Sequence, residues 1–287
     1  MSTASAAERA IAHVAARSTG DPVDPTLRVT LNFHPDRPGR AGGSTVMEAM
    51  ARDGRYRSQF ETGTSNGGLT AHPGGDRWSW ESRLFGGAYD DAPAADRPTY
   101  GSLDFRRRGV GGSPRFGSAH LRLTAETLAR TTFCHPDSVF EPTRVGVAVR
   151  MDLVAAAEAD DRDVLDDYVE AHVHGPLVLA RDVEALVLDP CHRGTGVELA
   201  AHRLGCPVEW HGGYRVTATE LRRHPDFRGP EHVELAIALC RNGVLDPAMI
   251  GDAARSGRFD SQALKRVWHL LARFGAPAPP PPATRGR

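Results

Sequence analysis

The order of apolar and polar positions divides the chain into stretches of different character. Residues 3–17 set Ala10, Ile11, Val14 and Ala15 at helical spacing and predict a short amphipathic helix. Residues 27–34 are apolar and β-branched, a strand that runs out in "VTLNFHPDRPGR" into His34 and Arg37, each followed by a proline. Helical period returns in "GSTVMEAMARDG", where Ser44 or Thr45 can cap and Gly54 can stop the helix. From Tyr56 to Phe105 the pattern breaks up among Gly, Pro and aromatic residues, which predicts loop-rich chain over short strands. "SAHLRLTAETLARTTFC" predicts a strand and a short helix capped near Thr124.

The middle of the chain is the most regular. "TRVGVAV" and "YVEAHVH" alternate, and "VEALVLDP" is a continuous apolar run closed by Asp189 and Pro190. "GVELAAHRLG" predicts a helix ending at Gly205, and "CPVEWHGGYRV" a strand or hairpin. From about Glu231 the period is helical in three segments punctuated by Gly or Pro. The expected organisation is an N-terminal helix (1–20), a core (21–195), a mainly helical region (196–275) and a disordered Pro-rich tail (276–287).

Composition narrows the function classes. A net charge of -1 over 287 residues supplies no global field for nucleic acid or anionic membrane. No apolar run approaches the roughly 20 residues that span a bilayer, and the opening stretch lacks a signal-peptide core. Cys134, Cys191, Cys206 and Cys240 stand far apart with no CxxC pair, which argues against a disulfide framework and fits a reduced, cytoplasmic setting.

Chemistry concentrates in a few places. On the strand "YVEAHVH", Glu170, His172 and His174 share one face, and Val169, Ala171 and Val173 share the other. The polar face is a solvated edge, a metal site, or a single working carboxylate. His34 at a strand end can bond a carbonyl, ligate a metal or hold a sugar hydroxyl, and the first is commonest for a lone histidine. Arg37 offers a planar fork suited to phosphate, although most arginines are surface residues. "FETGTSNGGL" (60–69) sets Thr64, Ser65 and Asn66 beside glycines that let a ligand approach the backbone. It lacks the lysine of a P-loop and the spacing of a dinucleotide fingerprint, and a tight turn explains it equally well. In "GGSPRFGSAHL" Arg115 and Phe116 are placed to clamp a phosphate and stack on a base, and in "RPTYGSLDF" Tyr100 can lie flat on a planar ring.

Longer strings carry a resemblance. "LNFHPDR", "YRSQFETGTSNGG", "RLFGGAY", "RPTYGSLDF", "SPRFGSAHLRL" and "RTTFCHPDS" are similar to a bacterial domain-of-unknown-function family over about residues 27–190. The order of these parts resembles the ADP-ribosyltransferase superfamily: a first strand ending in Arg or His, a Ser/Thr-rich second strand, an aromatic, and a late strand with the catalytic Glu. His34, the "GTS" of Gly63, Thr64 and Ser65, and Glu170 would be the equivalents. The resemblance implies an α+β fold with a split β core, a long loop-rich insertion and a helical C-terminal region.

It also implies NAD as substrate and an unidentified acceptor, whether protein, nucleic acid or small molecule, with no membrane partner. His34 would hold the adenosine-side ribose, Thr64, Ser65 and Asn66 the folded dinucleotide, and Tyr100 the nicotinamide. Arg37 and Arg115 would face the pyrophosphate, Phe116 a base, and Glu170 would be catalytic. Tyr168 stands where arginine-modifying members place Gln or Glu, so protein arginine is the less favoured acceptor. The His-type first motif is nearer the poly-ADP-ribose polymerase and tRNA phosphotransferase branches. The rival expectations are a metal-dependent hydrolase using His34, Glu170, His172 and His174, and a non-catalytic nucleotide-binding module.

Overall fold

The computed structural model describes residues 4–39, 43–63 and 70–277. Eight strands form one mixed sheet: β1 (Val29–Phe33), β2 (Thr99–Leu103), β3 (Ala119–Leu123), β4 (Thr131–His135), β5 (Arg144–Val147), β6 (Val169–Val173), β7 (Val183–Leu188) and β8 (Val208–Trp210). The spatial order is β8-β7-β3-β1-β2-β6-β4-β5. β7 and β8 run parallel and every other pair antiparallel. With helices on both faces of this sheet, the chain is an α+β protein.

Strand alternation divides the sheet chemically. Leu31, Leu103, Leu121, Phe133, Ala171 and Val173 enter one buried cluster, which α2 (Val46–Asp53) covers with Met47 and Met50. The opposite face carries Thr30, Asn32, Tyr100, Ser102, Thr132 and Cys134. Register sets Ser102 and Cys134 on either side of Glu170, and Tyr100 and Thr132 on either side of His172. Water does not cover this polar face. α1 (Ala6–Arg17) and α3 (Asp76–Leu84) lie on its β4–β5 end, packing Ala10, Val14, Trp80 and Leu84 with Phe85 and Tyr89.

The helix starts follow the local sequence. Ser5 with Glu8, and Thr45 with Glu48, close reciprocal capping boxes, and Gly54 ends α2 in the left-handed region at φ 64°. A third box, Ser58 with Glu61, starts a short helix at Gln59–Thr62, which Gly63 ends at φ 62°. Of the Ser/Thr-rich second strand expected at Gly63, Thr64 and Ser65, only Gly63 is described, and it closes this helical turn. Thr64, Ser65 and Asn66 lie outside the described residues. The strand between β1 and the Glu170 strand is β2, which carries Tyr100.

The C-terminal helices α4 (Pro230–Leu239), α5 (Pro247–Arg255) and α6 (Ser261–Phe274) share a buried cluster with Tyr214 and Leu245. "CPVEWHGGYRV" is not a hairpin. Its first part is β8, and Val216–Thr217 pairs instead with Val244–Leu245. The Asp189 carboxylate accepts from the Tyr214 amide at 2.7 Å and so draws the chain away after the Gly212-Gly213 pair. The same helices grip the turn that follows β1. Gly251 lets α5 come so close that a Cβ there would stand 1.6 Å from Asp36 Oδ2, and Arg255 donates to the Asp36 carbonyl at 2.7 Å.

Candidate active site

A cavity of about 700 Å³ opens beside the polar face, at the ends of β1 and β6. That is an ordinary size for a small-molecule site. His34, Arg37, Arg77, Tyr100, Phe116 and Glu170 all line it. β1 delivers His34 one residue past its end, and β6 delivers Glu170 as its second residue. The C-terminal region contributes Ser261 and Leu264.

Glu170 is held from several sides. His172 Nε2 lies 3.0 Å from Oε1, while the Ser138 hydroxyl and amide donate to Oε2 at 3.2 and 3.4 Å. Burial pushes the carboxyl up, but the bond from His172 and the charge of Arg77, with the Ser138 amide, outweigh it and leave Glu170 below the usual range. An ionised carboxylate therefore faces the cavity. Ser138 is placed by the turn that Asp137 caps through the Val139 amide at 2.9 Å. Burial and the neighbouring Glu170 charge raise Asp137, which accepts the Tyr168 hydroxyl.

Behind Glu170 runs a closed chain of buried hydrogen bonds. His172 Nδ1 meets the Thr132 hydroxyl at 3.2 Å, Thr132 meets His174 Nε2 at 3.0 Å, and His174 Nδ1 meets the Tyr89 hydroxyl at 2.7 Å. With Glu170 ionised and one proton on each imidazole, each donor has one consistent direction: Tyr89 to His174, His174 to Thr132, Thr132 to His172, His172 to Glu170. Burial, with His172 and Arg130 nearby, pushes His174 down to about 3, which keeps it neutral as this order requires.

Tyr100 donates to Glu81 Oε1 at 2.9 Å, and the Arg77 guanidinium covers one face of its ring at 4.1 Å. Glu81 also binds Arg97 at 2.6 Å. Its burial raises the carboxyl to about 7, against the lowering effect of Arg97 and Tyr100. Across the cavity, His34 meets Trp268 edge-on at 4.8 Å. Burial and the Arg37 charge hold His34 well below its ordinary value, so it is neutral, with one ring nitrogen to donate and one to accept.

Arg115 does not line the cavity, because it is bound to Asp166. Among the described residues, the side chains at metal-ligand spacing are Cys134, Glu170 and His172, with the sulfur 4.0 Å from both Glu170 Oε1 and His172 Nε2. Burial, together with Glu170, pushes the Cys134 thiol well up, so it is not a ready thiolate ligand. His174 has both ring nitrogens engaged, and neither it nor His34 joins that triplet. Sequence reasoning missed Arg77, Glu81, Ser138 and Thr132. The first two sit at helical spacing with Trp80 and Leu84.

No curated protein matches the chain. A solved structure described as Thermus sp. 2.9 DarT in complex with NAD+ aligns with 67% of this chain and 98% of its own, at 12% identity and a TM-score of 0.37. The family model described as "Protein of unknown function (DUF3626)" matches residues 28–162 and 148–274, and the chain belongs to that family.

Proposed function

We propose that this protein is an NAD-dependent ADP-ribosyltransferase, working on a dinucleotide held in the cavity between His34 and Glu170. The observation that carries the reading is that the imidazole past β1 and the carboxylate of β6 line one hollow, with Tyr100 on the strand between. The motif order in the sequence assigns the same pair to ribose binding and catalysis.

In this reading Glu170 accepts a hydrogen bond from a hydroxyl of the nicotinamide ribose and stays ionised. As the C1′–N bond breaks, its electron pair leaves with nicotinamide and positive charge develops on the sugar. The fixed negative charge of Glu170 stabilises that state, the kind of effect that is commonly the largest in such sites. A nucleophile of the acceptor then bonds to C1′ and releases its proton to water. His34 hydrogen-bonds the other ribose. Arg77 occupies one face of Tyr100, so a nicotinamide ring would stack on the other. The phosphate role passes to Arg37, since Arg115 is committed to Asp166. Thr64, Ser65 and Asn66 remain candidates for steadying the dinucleotide. Four free cysteines suit a cytoplasmic setting, and no described helix is long and apolar enough to cross a membrane.

The test is Glu170→Gln, which keeps the shape and removes the charge. NAD turnover should fall by roughly 10²–10³ while NAD binding persists, the scale seen when one stabilising contact is removed. Turnover equal to that of the parent protein would take Glu170 out of the chemistry.

A further inference from the structure

One buried group beside Glu170 has no part in the transfer. Cys134, on β4, is fully buried and stands opposite Glu170 in the sheet register. Among the described residues, its Sγ converges with Glu170 Oε1 and His172 Nε2. The sulfur is 4.0 Å from each of the other two atoms, which are 3.0 Å apart. A point equidistant from the three lies about 2.2 Å from each, inside the range of zinc bonds to sulfur, nitrogen and oxygen, about 2.0–2.3 Å.

The outer partners that such ligands need are also in place. A ligating imidazole or carboxylate is normally fixed by a hydrogen bond on its far atom. His172 Nδ1 meets the Thr132 hydroxyl at 3.2 Å, and Ser138 holds Glu170 Oε2 through its hydroxyl and amide. Glu170 lines the cavity, which gives an ion a way in. Three protein ligands leave the fourth position of a tetrahedral ion to solvent.

Charge and softness decide which cation fits. A thiolate and a carboxylate together carry two negative charges, so a divalent ion makes a neutral unit. The nearby Arg77 guanidinium disfavours any surplus of positive charge. Sulfur with imidazole suits zinc, whereas magnesium and calcium take oxygen ligands. Burial holds the proton on Cys134, and a coordinating cation displaces it.

We propose that Cys134, Glu170 and His172 form a site for a soft divalent cation, zinc above all, and that its occupation switches off the carboxylate. The switching-off rests on the transferase reading of Glu170; the binding does not. Cys134 releases its proton to solvent and ligates as the thiolate. His172 ligates through Nε2 and carries its one proton on Nδ1, donating to Thr132. Thr132 then turns its hydroxyl to His174 Nε2, and His174 donates from Nδ1 to Tyr89, so the order of hydrogen bonds behind Glu170 reverses. A carboxylate whose charge the ion has taken no longer stabilises positive charge on the sugar.

Zinc and cobalt titrations of the full chain test the proposal. Calorimetry should find one zinc ion per chain and no binding of magnesium. Cobalt in the same place should show a thiolate-to-cobalt charge-transfer band. Cys134→Ser should lose that band and roughly tenfold or more in zinc affinity, and parent-like binding by this variant overturns the site. Of the four cysteines, Cys191→Ser/Cys206→Ser/Cys240→Ser leaves Cys134 alone, and this triple variant should keep both the band and the stoichiometry. It serves if Cys134→Ser melts early, and a folded triple variant without the band overturns the site as well. With zinc bound, nitrogen-15 NMR should find the His172 proton on Nδ1; a proton kept on Nε2 excludes this ring as a ligand. Saturating zinc should lower NAD turnover by roughly 10²–10³, the scale expected when the Glu170 charge is lost. Zinc bound through Cys134 with turnover unchanged overturns the switch. A chain that binds cobalt through Cys134 and never turns over NAD loses the transferase reading and keeps the metal site, and turnover without metal binding does the reverse.

Discussion

At the scale of single residues, the position of Glu170 depends on groups that never touch the cavity. The chain from Tyr89 through His174, Thr132 and His172 presents the carboxylate with a donor whose direction the chain fixes. Thr132 is the link that converts one histidine's donor into the other's acceptor, because a hydroxyl donates and accepts at once. Thr132→Val keeps the branched shape and removes both roles. It leaves buried ring nitrogens unpaired, at a cost of about 1–3 kcal/mol. Turnover should fall by roughly tenfold, an effect of about 1.4 kcal/mol on the barrier, with KM nearly constant because Thr132 does not line the cavity. Nitrogen-15 NMR of the parent protein should find the Nε2 proton on both His172 and His174. A proton on Nδ1 of either ring would contradict the direction assigned to the chain.

At the scale of elements, α3 shows why part of the site was hidden in the sequence. "GGDRWSWESRLFGG" sits among glycines and aromatic residues and reads as loop, yet it folds as the helix Asp76–Leu84. Its buried positions are Arg77, Trp80, Glu81 and Leu84, spaced at i, i+3, i+4 and i+7. Two of the four are charged, so a search for an apolar stripe passes over them. The strand parity of β6 was legible, since alternation assigns faces without knowledge of the fold. What covers a face was not, because Phe85 and Tyr89 reach His172 and His174 only through tertiary packing. The partner of Arg115 was hidden for the same reason: Asp166 lies 51 positions away in the chain.

The buried Glu81 gives α3 a pH signature. Its folded value of about 7 stands above the ordinary glutamate value of 4.5. The folded state therefore holds the proton more tightly, so this group's contribution is complete below about 4.5 and is lost as pH rises through about 7. Thermal melting of the parent protein and Glu81→Gln across that range should show the parent losing stability relative to the variant as pH increases. A constant difference between the two melting temperatures would mean that Glu81 titrates normally.

At the scale of the whole molecule, the cavity is the place where separate packing clusters meet. Glu170 depends on the layer of α1 and α3, and His34 leans on Trp268 in the C-terminal cluster. That cluster also holds the 114–116 turn through Trp268 and the 34–37 turn through Arg255 and Gly251. Loosening it should then be felt in the wall of the site, far from the altered residue. Leu271 is fully buried in α6 and absent from the cavity lining. Leu271→Ala should cost about 2–5 kcal/mol through lost burial and the space left behind. Hydrogen exchange is the measurement, because it reports opening segment by segment. Amides of residues 34–37 and 114–117 should exchange faster together with those of α6, while those of β6 and α3 keep their protection. Faster exchange confined to α4, α5 and α6 would show instead that the C-terminal helices open without moving His34, and the helical region would then be a cover and not a wall.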